Sequence, residues 1–237
     1  MNQKQTLLSF FFVSCAPVRL RKKFFSVFVL LVSIPFLSYA QSEDIFRHPL
    51  TAQTTPAFRT VCARLAQNPY IRGSFEQEKT LNRLNRSLKS SGNFLIIANL
   101  GMVWDTVRPF PSTLVLGKDF IIQSRPGGQR TVLNAQGNET FLGMADIISS
   151  VFSGNAQGLE NNFNIFFTGS PSSWEMGLIP LDSAITSFAQ RIIMTGANAI
   201  RTIHITEQNG DSILYVLSNH SFPGTLDANE NALFTLP

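Results

Sequence analysis

Side chains that could bind a metal or attack a carbonyl are present in this sequence, but they stand singly and scattered. His48, His204 and His220 are far apart, and Cys15 and Cys62 are separated by 46 positions. A metal centre needs three or four ligands held together, and no H-E-x-x-H pair or close cysteine pair supplies them. No G-x-S-x-G elbow raises a serine above a turn, and no glycine-rich loop offers backbone amides to a phosphate. The expectation is therefore no catalytic residue, no metal and no cofactor. Arg72, Arg83, Arg86 and Lys89 stand among polar turn residues without an aromatic stacking run. They read as a solvated edge, so no nucleic-acid partner is expected.

Binding is the chemistry left, and the segment Gly92–Gly117 is where it concentrates. Its 26 residues include only two charges, Asp105 and Arg108, and Phe94, Leu95, Ile96 and Ile97 form an unbroken apolar run. A strand with one wet face alternates apolar and polar residues, so a strand without alternation must be covered on both faces. Two readings fit: a packed core, or a concave cavity for an apolar cargo.

The charge distribution narrows the setting. Of the 19 Lys and Arg residues, Lys4, Arg19, Arg21, Lys22 and Lys23 lie in the first 40 positions, together with none of the 15 acids, which leaves 14 against 15 beyond them. The sequence pI near 9.3 is thus a property of the leader and argues nothing about partners. Basic RLRKK, then apolar Phe24–Leu37, then Ser38-Tyr39-Ala40 has the order of an export signal cleaved after Ala40. The apolar run is shorter than the roughly 20 residues of a membrane span, although an uncleaved anchor is the competing reading. Cys62 would then be the one cysteine of the exported chain, which excludes an internal disulfide. On the apolar stripe of a helix, it reads as a small buried hydrophobe.

These groups must be positioned by a mostly β framework. Residues 41–53 read as a flexible terminus, and Thr55-Pro56 opens an amphipathic helix carrying Phe58, Val61, Cys62 and Leu65. Strands are expected over 71–79, 84–91, 93–98, 102–106, 113–116, 120–123 and 131–133, then over 163–168, 174–178, 190–194 and 200–206. Asn209-Gly210 is a hairpin signal joining the last of these to Leu214–Val216. Between the two series, Glu139–Ser153 reads as a helix apolar on most of its surface, either a core helix or a cover for something that comes and goes. The expected architecture is one mainly β (α+β) domain over 54–237: an unclosed antiparallel β-barrel or strongly curved sheet with helices plugging the concave side.

Three groups of residues, in order, carry a resemblance: Arg72-Gly-Ser-Phe-Glu-Gln77, Ser91-Gly-Asn-Phe94, and Trp104 followed by Pro109 or Pro111 and Thr113-Leu-Val115. With Ile203–Gly210, Leu217 and Phe234–Pro237 matching final strands, the exported part resembles the periplasmic outer-membrane lipoprotein carriers of the LolA type. The resemblance implies a cavity holding lipoprotein acyl chains, lined here by Phe94, Ile96, Met102, Trp104, Leu114 and Leu116. A lid helix would carry Phe141, Met144, Ile147, Ile148, Val151 and Phe152. It also implies an inner-membrane donor complex, an outer-membrane acceptor and a monomer working in the periplasm. One departure stands out: many members have an Arg-Pro pair after the Gly-x-Phe strand, the arginine helping to hold the lid closed, and here Ala98-Asn99 takes its place. Carriage of another amphiphile, or hydrolysis of an envelope lipid, are the competing functions.

Overall fold

The computed structural model describes residues 43–98, 100–128, 130–134, 150–186 and 189–234. Eleven strands form one antiparallel sheet: β1 (Tyr70–Leu81), β2 (Arg86–Ile97), β3 (Gly101–Arg108), β4 (Ser112–Leu116), β5 (Phe120–Ser124), β6 (Thr131–Asn134), β7 (Phe163–Ser170), β8 (Ser173–Pro180), β9 (Arg191–Gly196), β10 (Ile200–Thr206) and β11 (Ser212–Ser221). Their spatial order is β6-β5-β4-β3-β2-β1-β11-β10-β9-β8-β7, so β6 and β7 are the outermost strands and, among the described residues, the barrel stays unclosed. Nearly every strand pairs with its sequence neighbour, and the long-range closure is between β1 and β11.

Among the described residues are the short α-helices α1 (Thr55–Leu65), α2 (Ala156–Asn162), α3 (Ser183–Thr186) and α4 (Ala228–Leu233), and residues 150–152 are helical as well. Helix α1 begins as the sequence predicts, with proline in its first turn, and buries Phe58, Val61, Cys62 and Leu65. Helix α2 has Asn155 as its cap, the side chain accepting from the Gly158 amide. Its sequence AQGLENN is too polar and too short to announce a helix.

Two segments expected as separate strands, 84–91 and 93–98, are one strand of 12 residues. The chain passes through Gly92, where a Cβ would lie 1.9 Å from the Asp105 carbonyl oxygen. Beside it the pairing with β3 slips by one residue between Ser91↔Arg108 and Gly92↔Thr106. A missing side chain and a bulge at one point let a long strand bend without breaking, and this curls the sheet.

The amino-terminal segment corrects a second expectation. Rather than flexible chain, Glu43–Arg47 is a 3-10 helix with Ile45 buried. Phe46 packs edge-on against Phe166, 5.3 Å between ring centroids, and the Arg191 guanidinium stands 5.7 Å from the same ring. The Leu50 amide then donates to the Ile165 carbonyl and the Phe167 amide to that of His48, so residues 48–50 cover the β7 edge. The contacts of the half-buried Phe46 ring are decided by tertiary placement, which local composition does not reveal. A third correction is at the other end. Phe234 follows helix α4 as its cap residue instead of lying in a closing strand.

Candidate functional site

Alternation along the strands sorts side chains onto two faces, and register aligns them across strands. On the concave face Phe94, Trp104 and Leu114 form one row across β2, β3 and β4. Ile96, Met102, Leu116 and Ile121 form the next, reaching β5. All six residues expected to line a cavity therefore sit on one surface. Five of them are buried, and Trp104 is partly buried against the same core.

Trp104 is held by aromatic neighbours: it stacks on Phe75 at 4.1 Å and 25°, and meets the edge of Tyr215 at 5.5 Å and 88°. Such pairs each add about 0.5–1.5 kcal/mol to simple burial. The concave surface continues through Ile71, Leu217 and Ile213 to Met194, Met176 and Phe167. Helix α1 lies on it, with Phe58 edge-on to Phe167 at 5.9 Å. Of the expected lid residues, Val151 is buried in this core and Phe152 packs against it partly exposed. Phe141, Met144, Ile147 and Ile148 lie outside the described residues.

Polar groups bound the apolar surface at one end. Ser90 donates to Gln77 at 3.1 Å, both buried, and Lys79 pairs with Glu207 at 2.8 Å with both side chains about nine-tenths covered. Burial first, and then the Glu207 carboxylate, push the Tyr215 hydroxyl well above its ordinary titration range. At the opposite end is a narrow cleft with free space of only about 10 Å³, lined by Leu65, Ile71, Phe94, Ile96, Phe152 and Leu217 among others. That is scarcely room for one water and far below the roughly 300–1,000 Å³ of a ligand site, so the described residues leave no space for a long chain unless the helical cover moves off the sheet.

His220 is the polar side chain at this cleft, its ring 5.9 Å from that of Phe94 and edge-on to it. Burial holds its titration below the usual value, a hydrogen bond with the Ile200 backbone opposes that, and the Arg201 charge reinforces it. His204 is elsewhere, on β10 beside Ile193 and Leu214, and His48 lies at the β7 edge. Cys62 is buried in the core and its thiol is pushed up to about 12, first by burial and then by Glu160, which keeps it protonated and inert.

The second face of β2–β5 is apolar too, with Leu95, Ile97, Val103, Val115, Phe120 and Ile122 buried. Leu226, Leu233 and Phe234 of the carboxy-terminal segment pack over it, with Tyr70. Arg72, read from sequence as part of a solvated edge, instead clasps that segment. Its Nε donates to Glu230 Oε1 at 2.6 Å and a second guanidinium nitrogen reaches Glu230 Oε2. Glu230 also closes a capping box with Asp227 at the start of α4. Sequence reading missed Phe75, Tyr215, His220 and Glu230. For Glu230 the signal was present, because Asp227 followed three residues later by glutamate is a helix-start pattern.

Residues 52–225 match the family model described as outer membrane lipoprotein carrier protein LolA-like. Among curated proteins no sequence matches. Solved structures similar to this chain include a LolA superfamily protein of Nitrosomonas europaea, at 7% identity over 76% of this chain and 98% of that one, TM-score 0.44. A DUF1329 family protein of Desulfovibrio piger follows at 9% identity, 76% and 96% coverage and TM-score 0.45. The Mycobacterium tuberculosis lipoprotein LppX is similar at 11% identity, 73% and 99% coverage and TM-score 0.37.

Proposed function

The chain belongs to the LolA-like outer membrane lipoprotein carrier family, and from that membership we propose that it binds lipoprotein acyl chains on its concave face and conveys them from the inner to the outer membrane. The observation that carries this reading is the pair of apolar rows on β2–β4, on the concave face of an unclosed sheet whose core also takes in α1 and the helical residues Val151 and Phe152. Strands are bonded to their neighbours and cannot part cheaply, whereas a helix held only by apolar packing can swing away. Each buried CH₂ contributes about 0.8 kcal/mol, so a fully buried long chain contributes on the order of 10 kcal/mol against that displacement. No covalent step is required of the protein. Its work is to shield apolar surface from water between a membrane donor complex and a membrane acceptor.

Export to the periplasm with cleavage after Ala40 fits the basic-then-apolar order of the leader. A second reading, carriage of a different amphiphile, is favoured by Ala98-Asn99 standing where many members have Arg-Pro. Mass spectrometry of material bound to the protein purified from its native periplasm decides between them. Acylated polypeptide is expected, a glycolipid or other amphiphile would favour the second reading, and the absence of any lipid would overturn both.

A further inference from the structure

Strand β11 places Ile213, Tyr215 and Leu217 on the concave face. Continued alternation would send Asn219 inward and His220 out to the convex side. The pairing with β1 prevents this, because Ser74 faces Ser218 while Arg72 faces Ser221. Asn219 and His220 together therefore stand opposite the single residue Gly73. Asn219 adopts φ 53°, a left-handed conformation that asparagine tolerates better than most residues. Bulges of this kind re-aim a side chain and are concentrated beside binding sites. This one turns His220 onto the cleft with Leu65, Ile71 and Phe94.

Gly73 completes the arrangement. A Cβ there would lie 2.5 Å from Phe94 Cζ and 2.7 Å from the Ser218 carbonyl oxygen, so the glycine gives the Phe94 ring the space from which it contacts His220. A bulge, a left-handed asparagine and a glycine thus combine to aim one polar ring into an otherwise apolar cleft.

We propose that His220 is the specificity residue of the cleft, accepting a hydrogen bond from an O–H or N–H group at the head of a bound apolar chain. This deepens the lipid-binding reading above and rests on it. The chemistry follows from the tautomer. The backbone contact with Ile200 favours the protonated ring, so the Ile200 carbonyl accepts and the imidazole donates. In a neutral imidazole one nitrogen donates and the other accepts, so the second nitrogen is the acceptor. A hydroxyl or an amide N–H satisfies it, and an ester does not.

The test compares three probes of equal chain length for displacement of a fluorescent fatty ligand from the purified protein: 1-dodecanol, N-methyldodecanamide and methyl dodecanoate. The alcohol, the amide or both should bind about five- to tenfold tighter than the ester, the worth of one net hydrogen bond, and the two donor arms show which head is preferred. His220→Phe should erase the preference while leaving ester binding within about twofold, and His220→Gln, whose amide oxygen accepts, should keep part of it. Equal binding of all three probes by the unaltered protein overturns the proposal without touching lipid binding, and so does a preference that survives His220→Phe. Binding of none of the three overturns the lipid-binding reading itself, and the proposal with it.

Discussion

Strands β2 to β5 bury side chains on both faces, yet different kinds of chain cover the two. The concave face joins a large core that runs from β5 round to β7 and takes in α1 and the helical residues Val151 and Phe152. The convex face carries a separate, smaller cluster, over which Leu226, Leu233 and Phe234 pack while staying partly exposed. Core burial is cooperative across many strands, whereas the convex cover is a short terminal segment clasped by Arg72 and Glu230. The run Phe94–Ile97 is apolar throughout because it serves both. The difference predicts that damage inside the concave core is felt by the whole fold, and that damage to the convex cover is felt locally.

The largest effect expected is from Phe58→Ala. Phe58 is 0% exposed and anchors α1 on Phe167, so removing its ring leaves a cavity under the helix. A loss of about 3–5 kcal/mol in denaturant unfolding is expected for such a truncation. If stability is unchanged, α1 is not part of the cooperative core and the contrast between the faces fails. Deleting residues 226–237 should cost less, about 2 kcal/mol, because the covering side chains are only partly buried. It uncovers Leu95, Val103 and Ile122, and concentration-dependent self-association on size exclusion should accompany the loss.

How much of this contrast the sequence revealed follows from where its causes lie. The apolar rows were legible in part because alternation is a local rule: strand parity groups Phe94 with Ile96, Met102 with Trp104 and Leu114 with Leu116, while the choice of face came from the family resemblance. The NG hairpin and the Thr55-Pro56 helix start were legible for the same reason. Arg72 was misread because its partner is 158 residues away, and no local pattern links them. His220 was missed because a one-residue bulge reverses the face to which a side chain belongs. Sequence parity at that point gives the opposite answer.

Trp104→Glu sharpens the comparison on the concave side. Trp104 is only partly buried, so the carboxylate can hydrate at the surface it replaces, and the fold should lose about 1–2 kcal/mol through the broken contacts with Phe75 and Tyr215. Binding of an apolar chain, which would force the charge to give up water, should fall at least about tenfold. Parallel thermal unfolding and lipid-displacement titrations separate the two effects. A variant that binds lipid normally would remove Trp104 from the cargo surface.

The smallest effect belongs to the clasp on the convex side, and its signature is pH dependence more than size. Glu230→Gln should cost under about 1 kcal/mol, since the Arg72 side chain is 34% exposed and solvent screens the pair. The hydrogen bond from Arg72 holds the Glu230 carboxyl below its ordinary value of 4.5, so the unfolded chain binds more protons than the folded one as pH falls past that value. The clasp's contribution is therefore complete above about 4.5, and is lost as the pH drops through the lower folded value. His204 and His220 act in the same direction at higher pH. Burial lowers both below 6.5, so stability declines as the pH falls through that range, in the wild type and in Glu230→Gln alike. The two curves should run parallel from pH 7 to 5 and converge only in more acid solution. Convergence already near pH 6 would assign the difference to the histidines, and curves that never converge would mean that Glu230 acts through the α4 capping box independently of its charge.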